Sequence, residues 1–186
     1  MKIVTIFADD YFLVSAKYDG EEEDEFTKLF TRWTNPEYLD KFFSMNENDL
    51  KRADWKGISV EQAIIETRDE AYSLLGYIKR LYKKPRNERI PILRQLFRSL
   101  YKDGERYAFL DMKKAYGPGT KSWLRVYALK AGDDMYIITG ITIKLTDNMR
   151  ERSHTLAELN KMKACRQYLV DEGVADDEGL IELIDN

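Results

Sequence analysis

Arg125 stands between two aromatic residues at strand spacing, in Trp123-Leu-Arg125-Val-Tyr127, and a short acidic turn and a second apolar run then lead to Lys144. Alternation puts Trp123, Arg125, Tyr127 and Leu129 on one face of a strand and Leu124, Val126 and Ala128 on the other. An arginine between rings can stack on them or on a base, and its fork of donors can hold a phosphate bidentately. Lys144, at the end of the next strand, can add a second charge where a phosphoryl group becomes negative. The same residues also suit plainer duties, core-edge packing for Arg125 and protection of an exposed strand edge for Lys144.

His154 is the sole histidine, and an imidazole can carry protons near neutrality. It also opens the last long helical pattern, where an ordinary helix-start role accounts for it. Cys165, the sole cysteine, falls on the apolar side of that helix and reads as packing. It excludes an internal disulfide and a multi-cysteine zinc site, so a reducing, cytoplasmic setting is expected. Asp9-Asp10 would point to opposite faces of a strand, and a tight turn explains them better than a metal pair. The chain has no Walker loop, dinucleotide fingerprint, HExxH, GxSxG or metal-ligand spacing, so neither cofactor nor metal is expected.

A net charge of -3 conceals strong segregation. Residues 1 to 78 hold 17 acidic and 9 basic side chains, residues 79 to 130 hold 4 and 15, and the remainder hold 12 and 6. The basic run Lys79, Arg80, Lys83, Lys84, Arg86 and Arg89 suits a solvated helix C-terminus, or alternatively a surface facing a polyanion. The same sign continues through Arg94, Arg98, Lys102, Arg106, Lys113, Lys114 and Lys121, the candidates for nucleic-acid binding. If these converge on one face with Arg125, they neutralise phosphates and make binding strongly salt-dependent. Tyr101, Tyr107, Tyr116 and Tyr127 lie in or near this segment and could stack on bases, although 12 tyrosines in the chain make some of them structural.

The elements that must hold these residues follow from periodicity. Ile3 to Phe7 and Tyr11 to Ala16 read as an opening hairpin. Acidic residues 21 to 25 suit the first turn of a helix through Trp33, and Asn35-Pro36 starts another. Ser59 with Gln62 is a capping-box pattern opening a long helix that ends before Pro85, and a further helix is expected over Ile92 to Tyr101. Trp123 to Leu129 and Met135 to Lys144 are the clearest strands, with an irregular strand near Tyr107 to Met112 before them and a helix over His154 to Tyr168 after them. The expected architecture is one α+β domain over residues 1–186, a mostly antiparallel sheet packed against helices. The 44% apolar and 12% aromatic content opposes disorder. No stretch has the length of a membrane span, no signal peptide is recognisable, and no membrane partner is expected.

Over roughly residues 93 to 170 the sequence resembles the RelE/ParE toxin superfamily, its HigB-like, phage-derived branch in particular. The likeness is carried by Trp123-Leu-Arg125-Val-Tyr127, the acidic turn, Tyr136 to Gly140, Lys144, and the helix with Glu158 to Lys161, with Leu96 to Asp111 as the lead-in. It implies a RelE-like core at 90–170, preceded by a hairpin at 1–18 and a helical extension at 19–89, and followed by an acidic tail at 171–186. It further implies a ribosome-dependent, metal-independent mRNA endoribonuclease of a type II toxin-antitoxin system, partnered by a small helix-turn-helix antitoxin. A ribose 2′-OH would attack the adjacent phosphate, with Arg125 and Lys144 stabilising the transition state and His154 or a tyrosine as proton carrier. The alternative is a non-catalytic, toxin-derived interaction or regulatory protein. This chain is nearly twice as long as compact members and acidic where they are basic.

Overall fold

The strands of the computed structural model are β1 Lys2–Thr5, β2 Leu13–Lys17, β3 Arg98–Ser99, β4 Leu110–Tyr116, β5 Leu124–Ala131 and β6 Met135–Ile143. The structure describes residues 1–8, 10–52, 54–55, 57–100, 110–118, 121–132 and 134–186. The strands form one six-stranded sheet in the order β1-β2-β6-β5-β4-β3. Every neighbouring pair is antiparallel except β2 and β6, which run parallel from Leu13↔Tyr136 to Ser15↔Ile138. Parallel neighbours cannot be joined by a tight turn, so a long crossover must intervene. The helices α1 Glu25–Trp33, α2 Pro36–Met45, α3 Glu47–Leu50, α4 Val60–Tyr82 and α5 Arg86–Leu96 occupy it, and α6 Ser153–Asp171 and α7 Asp177–Asp185 follow the sheet. The fold is thus α+β, a mostly antiparallel sheet packed against helices, and the opening hairpin belongs to that sheet.

Short polar side chains start the helices. Of the acidic residues 21 to 25 expected in the first turn of α1, only Glu25 lies there, residues 21–23 preceding the helix and Asp24 capping it. Asp24 accepts from Phe26 N at 2.9 Å and Thr27 N at 3.1 Å. Asn35 accepts from Glu37 N at 2.9 Å ahead of Pro36, and Ser59 accepts from Gln62 N at 3.2 Å. Each satisfies donors that the first turn cannot. α5 departs from expectation at both ends. It begins at Arg86 and carries Pro91 inside, forfeiting one backbone donor, and it stops at Leu96 because Arg98 and Ser99 pair with Lys114 and Lys113 of β4.

Two apolar layers flank the sheet. Leu29, Trp33, Phe43, Leu74, Ile78 and Leu93 of α1, α2, α4 and α5 pack with Leu124, Val126, Ile138 and Ile141. On the other face Leu159, Met162, Cys165 and Leu169 of α6 and Leu180 of α7 pack with Val14, Tyr127, Leu129 and Ile137. Cys165 is fully buried, and burial pushes its thiol up to about 12, as its packing role requires. Among the described residues no helix is long and apolar enough to cross a membrane.

A buried ion network ties α1 to α6. Lys28, 3% exposed, bonds Glu21 and reaches Glu25 at 2.6 Å, and Lys161 reaches Glu25 at 2.8 Å. Glu158 lies over Gly140, where a methyl group would collide with its carboxyl. Burial pushes Glu158 up to about 7, opposed by Lys161, Arg32 and Lys28 and reinforced by Glu25. The folded state therefore favours the protonated carboxyl. Its contribution is complete below the ordinary value of 4.5 and is lost as pH rises through about 7. Urea melts across this window should show wild type losing roughly 2–3 kcal/mol relative to Glu158→Gln between the acidic and neutral ends.

Candidate anion-binding cleft

The sheet register gathers the cationic side chains at one end of the strands. Tyr116, Arg125 and Thr142 face one another across β4, β5 and β6, and Lys114, Tyr127 and Gly140 form the next row. Lys144 N donates to Trp123 O at 2.8 Å, which carries the pairing past the end of β6. Two residues beyond Thr142, Lys144 falls on the same side as Arg125. Both line an open cleft of about 870 Å³, with Arg98, Tyr116, Lys121 and Ser122 on the sheet side and Tyr77 and Arg80 of α4 and Leu96 of α5 opposite.

Arg125 is held by its surroundings without being neutralised. Its guanidinium carbon lies 4.0 Å from the Tyr116 ring centroid. Nη1 donates to Ser122 O at 2.7 Å and Leu124 O at 2.8 Å. These contacts leave further donors of the fork for a ligand. Burial weakens its hold on the proton, yet a guanidinium stays charged at any ordinary pH. The Lys144 ammonium donates to Thr146 O at 2.6 Å and Asp147 O at 2.7 Å. Its pKa is lowered first by burial and then by the Arg125 charge, with Lys114 adding to the effect and Asp147 opposing it.

The other cations divide between paired and unpaired. Arg94 is bound to Asp134 at 2.7 Å, and Lys113 to Asp111, so both charges are compensated away from the cleft. Arg89 bonds Asp10 and Lys84 meets Glu88 at 3.0 Å. Among the described residues, no carboxylate lies within ion-pair distance of Arg80, Arg98, Lys114, Lys121, Arg125 or Lys144. Arg125 and Lys144 are half-buried and repel one another, Asp147 offsetting part of this at Lys144, and a bound anion relieves the remainder.

Several sequence expectations change here. Trp123 does not share the face of Arg125: lying just before β5, it turns into the opposite layer, meets Trp55 and Phe43, and donates Nε1 to Thr67 Oγ1 at 2.8 Å. The ring against Arg125 is that of Tyr116. The sheet face is not an open concave surface, because α6 and α7 cover it, and the cleft lies at the strand ends instead. His154 is not among the cleft residues. Its Nε2 lies 3.1 Å from Ile143 O, its ring meets Phe42 edge-on at 5.2 Å, and burial lowers its pKa. Lys102 and Arg106 lie outside the described residues. Sequence reasoning missed Tyr77 and Ser122, as well as Glu70, which bonds Ser122. Helical spacing of Tyr77 with Arg80 was the one signal for the first.

Among the described residues no group of three histidine, cysteine or acidic side chains is placed to hold a metal ion. No protein-family model, curated protein or solved structure matches the chain. The side chains lining the cleft offer anion recognition by fixed cations beside aromatic rings.

Inorganic phosphate near ten times its dissociation constant should stabilise the wild type by about 1.4 kcal/mol. Scanning calorimetry should read this as a Tm rise of about 3–6 °C. Arg125→Ala with Lys144→Met should abolish the rise, and an equal rise in that variant would place the anion elsewhere.

Proposed function

We propose that the cleft holds a backbone phosphate of RNA and that the protein is a toxin-like endoribonuclease acting on mRNA in the ribosome. The observation that carries this reading is the convergence of Arg125 and Lys144 on one open cleft with uncompensated cations and tyrosine rings. The resemblance of residues 93–170 to RelE/ParE toxins, carried in part by Arg125 and Lys144 themselves, also supports it, and β4, β5, β6 and α6 then constitute the RelE-like core. In this mechanism a ribose 2′-OH attacks the neighbouring phosphorus. Arg125 donates to the non-bridging oxygens as charge accumulates there, and Lys144 adds the field of its ammonium. Fixed cations in a half-buried site need little reorganisation during that step. The partner in this reading is a small helix-turn-helix antitoxin, the compartment the cytoplasm.

A second reading, a toxin-derived RNA-binding regulator without catalysis, is favoured by two contacts. The Lys144 ammonium is engaged by two loop carbonyls, and His154 is engaged at Ile143 away from the cleft.

Induced expression should arrest growth, and 5′-end mapping should show new cuts within translated mRNA. Arg125→Ala should reduce cleavage by about 10²–10³-fold, as loss of one oxyanion donor does. Salt-dependent RNA binding without arrest or cuts would favour the regulator, and no RNA binding at all would overturn both readings.

A further inference from the structure

Three elements converge on Ser122 at the sheet side of the cleft. Its hydroxyl donates to Glu70 Oε2 of α4 and accepts from Leu124 N at 3.0 Å, while its carbonyl accepts from Arg125 at 2.7 Å. Gly117, in the β4–β5 connection, makes room for this arrangement: a methyl group there would overlap both Ser122 Oγ and Glu70 Oε2. A serine hydroxyl has one proton and two lone pairs. The proton is committed to Glu70 and one lone pair to Leu124, which leaves one lone pair on an oxygen whose residue lines the cleft with Arg125 and Lys144.

Glu70 is placed to accept a proton. Burial raises its affinity for one and Glu66 adds to that, against the hydrogen bond from Ser122 and the Arg125 charge. A carboxylate in such surroundings is a stronger base than an exposed one. It is contributed by α4, outside the segment that resembles the toxins.

We propose that Ser122 is a catalytic residue of RNA cleavage and Glu70 its positioning partner, the pair forming the proton relay that activates the ribose 2′-OH. This rests on the endoribonuclease reading. Ser122 Oγ accepts the 2′-OH proton as it passes its own to Glu70. The 2′-oxygen bonds to the adjacent phosphorus and the bond from phosphorus to the 5′-oxygen breaks. The products are a 2′,3′-cyclic phosphate and a 5′-hydroxyl end. The leaving oxygen takes its proton from the Lys144 ammonium, and exchange with solvent returns the Glu70 proton to Lys144. No oxidant, reductant or net water is required.

The test is single-turnover cleavage of mRNA on programmed ribosomes by the full chain, followed from the ordinary carboxyl value of 4.5 up to about pH 8. Glu70→Gln still accepts the serine hydrogen bond and keeps the connection in place. It should cut about 10²–10⁴-fold more slowly with unchanged ribosome affinity, and it should lose the acidic limb of the wild-type rate profile. Ser122→Ala should lose rate similarly. Glu70→Gln cutting at the wild-type rate with the acidic limb intact overturns the relay and leaves the endoribonuclease reading standing. A wild-type profile flat across that range overturns the relay without recourse to any variant. A wild type that cuts nothing removes the endoribonuclease reading itself, and the relay with it.

Discussion

Every residue of β6 is buried, all nine from Met135 to Ile143, and the rest of the molecule is arranged to keep them so. An antiparallel sheet commonly leaves one face to water, but a strand buried on both sides requires a layer on each. The crossover helices α1 to α5 supply one, and α6 with α7 the other. β2 pairs beside β6, and Tyr11, near the start of β2, donates to Asp185 of α7 at 2.8 Å. The opening hairpin and the acidic tail are therefore bound to the strands between them. The charges of α1 and α6 are buried together as a consequence. Lys28 and Lys161 offset the desolvation cost of Glu25, while at Glu158 burial outweighs them.

Covering both faces also decides where a ligand can reach the sheet. Tyr127 and Leu129 continue the face of Arg125 into the α6 layer, so only the far end of that face meets solvent. Arg125 and Lys144 remain half-buried there, in a setting where burial strengthens their field without leaving them paired. The opposite wall comes from α4 and α5, through Tyr77, Arg80, Gln95 and Leu96. The crossover is thus part of the cleft as well as a cover for the sheet.

Local signals in the sequence were readable because local forces decide them. Asn35-Pro36 and Ser59 start helices wherever they fold, and the alternation of Leu124 to Leu129 survives in β5. What failed was anything settled by distant partners. The parallel contact of β2 with β6 leaves no mark in a run that is apolar on both faces. Arg94 resembles every other cation of its segment until Asp134, distant in sequence, arrives beside it. Trp123 sits one residue outside its strand, so the alternation that places Arg125 does not govern it, and burial with a hydrogen bond to Thr67 turns it the other way. Glu70 offered no chemical signal at all, since a glutamate on an amphipathic helix ordinarily faces water. Its distinction comes from Ser122 and Gly117, which reach it only through the fold.

On the RNA-binding reading, an acidic protein must keep most of its carboxylates from the binding place. Here the division is structural. Glu21, Glu25 and Glu158 are spent within the network between α1 and α6, and Asp10, Asp111 and Asp134 are held by Arg89, Lys113 and Arg94. What remains in the cleft is a cationic group with Asp54 and Asp147 also among its lining residues. Focusing in a cleft depends on local charge rather than on the net value of -3, so an acidic chain does not preclude attraction of a single phosphate here. On the RNA-binding reading, a flexible single strand, which can draw one phosphate inward past Asp54 and Asp147, suits this cleft better than a rigid duplex.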